Sequence, residues 1–146
     1  MGNIIKKLAS STVIIPTLKY QNAQSAIEWL CRAFGFEKHL IVQGENDAIA
    51  HAQLTLGNAM IMLGSASNDD YGKLIQLPKN LNGANTQAQY IVMENIDEHY
   101  IKACQEGADI VIEIKDEDYG GRGYTCRDLE GHIWNFGSYN PWNESN

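Results

Sequence analysis

Cysteine is scarce and dispersed: Cys31, Cys104 and Cys126 lie far apart, with no C-x-x-C pair. That spacing excludes a zinc knuckle, a redox dithiol and a disulfide framework, and it implies a reducing, cytoplasmic compartment. Long apolar runs are missing too. None approaches the ~20 residues that span a bilayer. The start of the chain, Met1-Gly2-Asn3-Ile4-Ile5-Lys6-Lys7, lacks the apolar core of a signal peptide and carries Lys6 where a myristoylation signal needs Ser or Thr. Basic residues are in deficit, with 11 Lys+Arg against 18 Asp+Glu and a net charge of -7. Such a field repels a phosphate backbone and an anionic membrane, so neither nucleic acid nor a membrane is an expected partner, whereas a cationic small molecule is favoured.

What remains is globular composition. The 146 residues are 44% hydrophobic, 20% charged and 9% aromatic, enough for one packed domain or for two half-size modules sharing a core. Residues 12–20 are β-branched and extended, and Pro16, which cannot donate to a ladder, suits an edge strand or a cleft. Asn22 is positioned to cap a helix whose stripe is Ile27, Leu30, Cys31 and Phe34, with Gly35 ending it in the left-handed conformation. Strands follow over 36–43, 48–56 and 59–64; in the second of these Ala50, Ala52, Leu54 and Leu56 alternate with His51, Gln53 and Thr55, and Gly57-Asn58 marks a tight turn.

After a connector over 65–85, rich in turn residues, the same order of elements begins again. Residues 87–93 read as a strand. Asn95 with Glu98 resembles a capping box, Ile96, Tyr100 and Ala103 form a helical stripe, and Gly107 ends it; strands are expected over 109–114, 122–127 and 132–138. The chain therefore reads as an internal duplication of a β-α-β-β-β module, the first about 12–64 and the second about 86–142, preceded by an extension over 1–11.

Two tandem modules of this kind resemble the vicinal-oxygen-chelate superfamily of glyoxalases, bleomycin-resistance proteins and dioxygenases. The segment from Tyr119 to Phe136 is similar to the last hairpin of glyoxalase-like members, with Asp128-Leu129-Glu130-Gly131 where Asp-Pro-Glu-Gly is usual, and Ala26 to Phe36 is similar to their first helix and its glycine stop. The resemblance implies an α+β fold in which two β-α-β-β-β modules form a curved eight-stranded sheet around a cleft, helices outside, and a homodimer with composite clefts.

Members of that superfamily usually hold one divalent metal with His, Gln or Glu from the first and last strands of each module. Imidazole and oxygen donors must converge at ~2.0–2.2 Å for this. Residues 12–20 contain none of these residue types, 57–64 offer only Asn58, the second first-strand position falls near Ala88 between Gln87 and Gln89, and Asn135 stands where a Glu is usual. The resemblance is thus to the metal-free, resistance-type branch, with no cofactor and a small molecule, cationic or aromatic, bound in the cleft. The alternative is a metal-dependent lyase, isomerase or dioxygenase with a non-standard site drawn from Gln87 or Gln89, His51 and His132.

Alternation and the resemblance together select candidate ligand-binding residues. His51 and Gln53 face away from the apolar set of their strand; His51 is either a ligand contact or base, or a polar strand residue satisfied by a neighbour. Asn135 faces opposite Trp134 and Phe136, Tyr90 comes from the fifth strand, and Pro16 and Leu18 come from the first by analogy with the family. Arg122, among glycines, either holds a carboxylate with its fork or is a solvated loop arginine. Tyr90, Tyr119 and Tyr124 could build a stacking wall, Trp142 in the tail lids the cleft or packs on a partner, and Asp116-Glu117-Asp118 is either a solvated acidic turn or a feature that steers a cation. His132 shares the parity of Trp134 and is more simply a core or turn residue.

Overall fold

The computed structural model describes residues 11–143, so most of the extension over 1–11 lies outside the described residues. Strand β1 (Thr17–Tyr20), helix α1 (Ala23–Phe34) and strands β2 (Glu37–Gln43), β3 (Ile49–Leu56) and β4 (Ala59–Ser65) form the first module. Strand β5 (Gln89–Val92), helix α2 (Ile96–Gln105) and strands β6 (Asp109–Asp116), β7 (Arg122–Arg127) and β8 (Ile133–Gly137) form the second, and two short 3-10 turns, Gly72–Leu74 and Pro78–Leu81, occupy the connector. Each module makes a four-stranded mixed sheet, in the orders β1-β4-β3-β2 and β5-β8-β7-β6, with the first strand parallel to the last and the others antiparallel. The eight strands are thus divided into two separate ladders.

Local chemistry accounts for the element ends. The Asn22 side chain accepts the Ser25 N–H at 3.1 Å, and Gly35 closes α1 at φ 88°. In α2 the expected capping box does not form: Asn95 makes no side-chain cap, and Asp97 and Glu98 in the first turn instead complement the helix dipole. The β3–β4 hairpin turns over Gly57 and Asn58, as the alternation requires. β1 begins only at Thr17, because Pro16 has no N–H to donate, although its carbonyl still accepts the Met62 N–H at 2.9 Å.

Both helices and one face of each sheet share a single core. Phe34 at the end of α1 lies 5.4 Å from the Trp134 ring and 4.7 Å from the Phe136 ring, both on β8, which joins the modules through aromatic contact. Trp134 is 0% exposed, and full burial of such side chains contributes about 1.5–3 kcal/mol each. Among the described residues no helix is long and apolar enough to cross a membrane.

Candidate functional site

The other face of each sheet turns away from the common core and is only partly covered within one chain, by Tyr71 on sheet one and by Tyr119 and Tyr139 on sheet two. On sheet one this open face carries His51, Gln53, Met60 and Met62, with the exposed Leu40 opposite Gln53 and Val42 opposite His51 on the edge strand. His51 Nε2 and Gln53 Nε2 are 3.1 Å apart and hydrogen-bonded. The alternation read from the sequence therefore places both residues correctly, and His51 has the satisfying neighbour that its bland reading requires.

Strand one is a correction. Leu18, 7% exposed, and Tyr20 pack into the core, while Thr17 and Lys19 take the open face, paired with Met62 and Gly64. Pro16 has the parity of Leu18 and is only half-buried at the strand's entry. One residue of slip exchanges the two faces of a strand, and the position borrowed from the family carried that slip. A cavity of about 140 Å³ on this face is lined by Thr17, Lys19, His51, Met62 and Tyr71, with Lys19 Nζ 5.5 Å from the Tyr71 ring centroid.

The open face of sheet two brings more of the candidates together. Tyr90 pairs with Asn135, and Asn135 with Thr125. Thr125 Oγ1 donates to Asn135 Oδ1 at 2.6 Å, and Asn135 Nδ2 donates to the Gln89 carbonyl at 3.2 Å, so the amide is fixed in orientation. Around them lies a cavity of about 200 Å³ that also includes Glu117, Tyr119, Arg122 and Tyr139. The Tyr90 hydroxyl donates to the Tyr139 carbonyl at 2.6 Å, and burial, then the neighbouring Tyr119, Tyr139 and Glu117, push its phenol up.

Three of the expected roles change here. The Arg122 fork is filled by the protein's own carboxylates, Asp97 at 2.9 Å from Nε and Asp116 at 3.2 Å from Nη1, rather than held open for a ligand's carboxylate. Asp116 is accordingly an ion-pair partner and not merely a solvated turn residue. Tyr124 faces the core with its hydroxyl 2.7 Å from His99 Nδ1 and cannot belong to the wall; Tyr139 takes its place. Tyr139 is the residue that the sequence alone did not bring to this site, and Glu117 stood there only as part of the acidic turn; the left-handed backbone of Gly120 and Gly121 lets the loop meet the tail. Trp142 is 90% exposed beyond that tail and covers nothing in one chain.

His132 is structural: its Nε2 is 2.8 Å from the Lys19 carbonyl, and its ring packs edge-on against Tyr20 at 4.6 Å. Asn135 is already bonded on both sides, and among the described residues no three His, Cys, Asp or Glu side chains gather where an ion could be held. At the positions that the family uses stand Asn58, Gln87 or Gln89, and Asn135, none of them the imidazole, thiolate or carboxylate that a divalent ion takes most readily.

The profile of the Glyoxalase/Bleomycin resistance protein/Dioxygenase superfamily matches residues 16–136. An uncharacterized protein of Mycobacterium bovis is 26% identical over 122 residues, 84% of this chain and 80% of that protein. Among solved structures, TioX from Micromonospora sp. ML1 superposes with a TM-score of 0.70 at 29% identity, over 88% of this chain and 99% of TioX. A mutant of the fosfomycin resistance protein FosX from Listeria monocytogenes, complexed with Mn(II) and 1S,2S-dihydroxypropylphosphonic acid, superposes with a TM-score of 0.63 at 14% identity, over 90% and 94% of the two chains, which is a likeness of fold. With the duplicated module, its two open faces and this match over most of its length, the chain belongs to the Glyoxalase/Bleomycin resistance protein/Dioxygenase superfamily.

Proposed function

We propose that this protein binds a small organic molecule, without a metal, in a composite cleft that two copies of the chain build together. The observation that carries the proposal is the pair of unfinished surfaces. The cavities on the two open faces measure about 140 and 200 Å³ and share no residue, each below the ~300–1,000 Å³ of a drug-sized site. Each face also exposes apolar side chains, Leu40 and Val42 on sheet one, Tyr90, Val92 and Ile112 on sheet two. Apposing the sheet-one face of each copy with the sheet-two face of its partner encloses both and gives two equivalent clefts of ordinary size, related by a two-fold axis. The apolar walls suit a planar body, and Gln53, His51, Thr125 and Asn135 supply the few polar contacts that orient it.

A thermal-shift screen over aromatic and cationic antibiotics, thiol conjugates and catechols, run with and without a chelator, tests this directly. The expected result is stabilisation by a planar compound, unaffected by chelator, and a light-scattering mass of two chains. Stoichiometric zinc, nickel, iron or manganese retained through purification and required for the shift would overturn it in favour of a metal-dependent lyase, isomerase or dioxygenase.

A further inference from the structure

On sheet two, three tyrosines from distant parts of the chain are brought around one carboxylate. Tyr119 sits on the β6–β7 loop, Tyr139 in the segment after β8 and Tyr90 on β5, and all three line the 200 Å³ cavity with Glu117. The Tyr119 and Tyr139 rings meet edge to face, 5.0 Å apart at 81°, and form one corner of the cavity. Tyr119 is 59% exposed and Tyr90 43%, which leaves ring surface free for a ligand.

The backbone is shaped to hold this arrangement. A Cβ on Gly137 would lie 2.6 Å from the Tyr90 hydroxyl, so only glycine lets that ring rest on the strand. A Cβ on Gly121, at φ 74°, would lie 2.7 Å from the Tyr139 nitrogen, so only glycine lets the loop approach the tail. The Glu117 backbone is fixed by its own loop: its N–H donates to the Gly121 carbonyl at 2.9 Å, and its carbonyl accepts the Gly120 N–H at 3.1 Å.

We infer that this tyrosine-lined cavity receives the methylated ammonium group of the ligand, an inference that rests on the proposal that the open faces form a small-molecule cleft. Ring faces are electron-rich and attract a cation within ~6 Å of their centroids, and methylated ammonium groups suit aromatic cages because they need no hydrogen-bond acceptors. The cation in the cavity wall, Arg122, does not oppose such a ligand, because Asp97 and Asp116 both bind it. That leaves Glu117, whose negative charge acts on the Tyr90 phenol, as the acid lining the cavity. An anionic ligand would meet Glu117 and an occupied guanidinium. A large flat molecule would not fit a cavity of 200 Å³, whereas a head group does.

The test uses full-length protein, choline as the probe and 3,3-dimethylbutan-1-ol as its uncharged isostere, followed by amide chemical shifts in an NMR titration. Choline should bind saturably, with shifts confined to Tyr90, the 117–121 loop and the 137–139 segment, and the isostere about tenfold more weakly. Tyr119→Ala should weaken choline about tenfold and Glu117→Gln severalfold, while Tyr119→Phe, which keeps the ring face, should bind as the parent does. Unaltered amide dispersion in each variant establishes that it folds. Equal binding of choline and the isostere, shifts elsewhere, or no saturation would overturn the inference. If uncharged planar compounds still bind at the open faces, only the ammonium assignment falls; if nothing of either kind binds, the cleft proposal falls with it.

Discussion

The Tyr20 hydroxyl donates a 2.6 Å hydrogen bond to the buried carboxylate of Asp128, joining β1 of the first module to the turn before β8 of the second. Asp128 Oδ2 also accepts the Trp134 indole N–H at 3.0 Å, and Oδ1 accepts the backbone N–H of Glu130 and of His132. The next acid in the turn, Glu130, accepts the N–H groups of Gln21 and Asn22 at 2.6 and 2.8 Å, just ahead of α1. The Asp-Leu-Glu-Gly-His turn is therefore a clasp between modules. Burial, followed by the Asp128 charge, pushes the Tyr20 phenol well up, so this donor keeps its proton.

Breaking the clasp should cost stability without touching the open faces. Tyr20→Phe removes one charge-assisted hydrogen bond and should cost about 1.5–3 kcal/mol. Asp128→Ala, which strands several buried donors, should cost more. Urea unfolding of both single variants and the double variant should show a coupling energy of at least about 0.5 kcal/mol; simple additivity would mean that the hydroxyl and carboxylate do not cooperate.

Trp134→Ala should cost about 3–5 kcal/mol, because the residue is fully buried against Phe34 and Phe36. His51→Ala, on an open face, should stay within about 0.5 kcal/mol of the parent. Thermal unfolding of the two variants side by side measures the difference, and the reverse order would exchange the core and cleft faces.

His99 predicts an acid-side loss of stability. It bridges the Tyr124 hydroxyl at 2.7 Å and the Phe34 carbonyl at 2.9 Å, Nε2–H donating to the carbonyl, and in the neutral ring Nδ1 accepts from the phenol. Burial pushes its pKa below the ordinary 6.5, partly offset by the carbonyl it faces. The unfolded chain therefore binds this proton first: the contribution is whole above about pH 6.5 and is lost as pH falls from there through the lower native value. Denaturant unfolding between pH 7.5 and pH 5 should show a steeper loss in the parent than in His99→Gln; equal slopes would remove His99 as the cause.

The cysteines should separate by reactivity. Cys104 is exposed, Cys31 is half-buried with its thiol pushed up chiefly by burial, and Cys126 is fully buried with its thiol pushed up to about 12. In native protein an aromatic disulfide reagent should label Cys104 fastest and Cys31 slowly, and should reach Cys126 only on unfolding. Rapid labelling of Cys126 would place β7 at the surface.

Gly121→Ala should loosen the 138–142 tail, since the added Cβ meets the Tyr139 backbone. The expected cost is about 1–3 kcal/mol of local strain, read as faster amide hydrogen exchange at Ser138 and Tyr139. Unchanged exchange there would show that the loop and tail do not depend on this close approach.

The sequence by itself determined the duplicated order of elements, because hydrophobic period, the Asn22 cap and the Gly35 and Gly57 turns are local signals that act over a few residues. It also determined the inward and outward faces of β8 and of β3 from His51 onward by clear alternation, whereas Ala50, expected with the apolar set, is turned out and Ile49 in by the register shift opposite Val42 and Gln43. β1 alternates as well, Thr17 and Lys19 against Leu18 and Tyr20, but the resemblance to the family placed Leu18 in the cleft, and pairing with β4 turns Leu18 in and Lys19 out. Nor could local pattern reveal the clasp of Tyr20 on Asp128, the ion pairs that fill the Arg122 fork, or the meeting of Tyr119 with Tyr139. Those contacts join residues distant in the chain, and their geometry exists only once the two sheets share a core, because no short-range preference specifies which distant partners a side chain will meet.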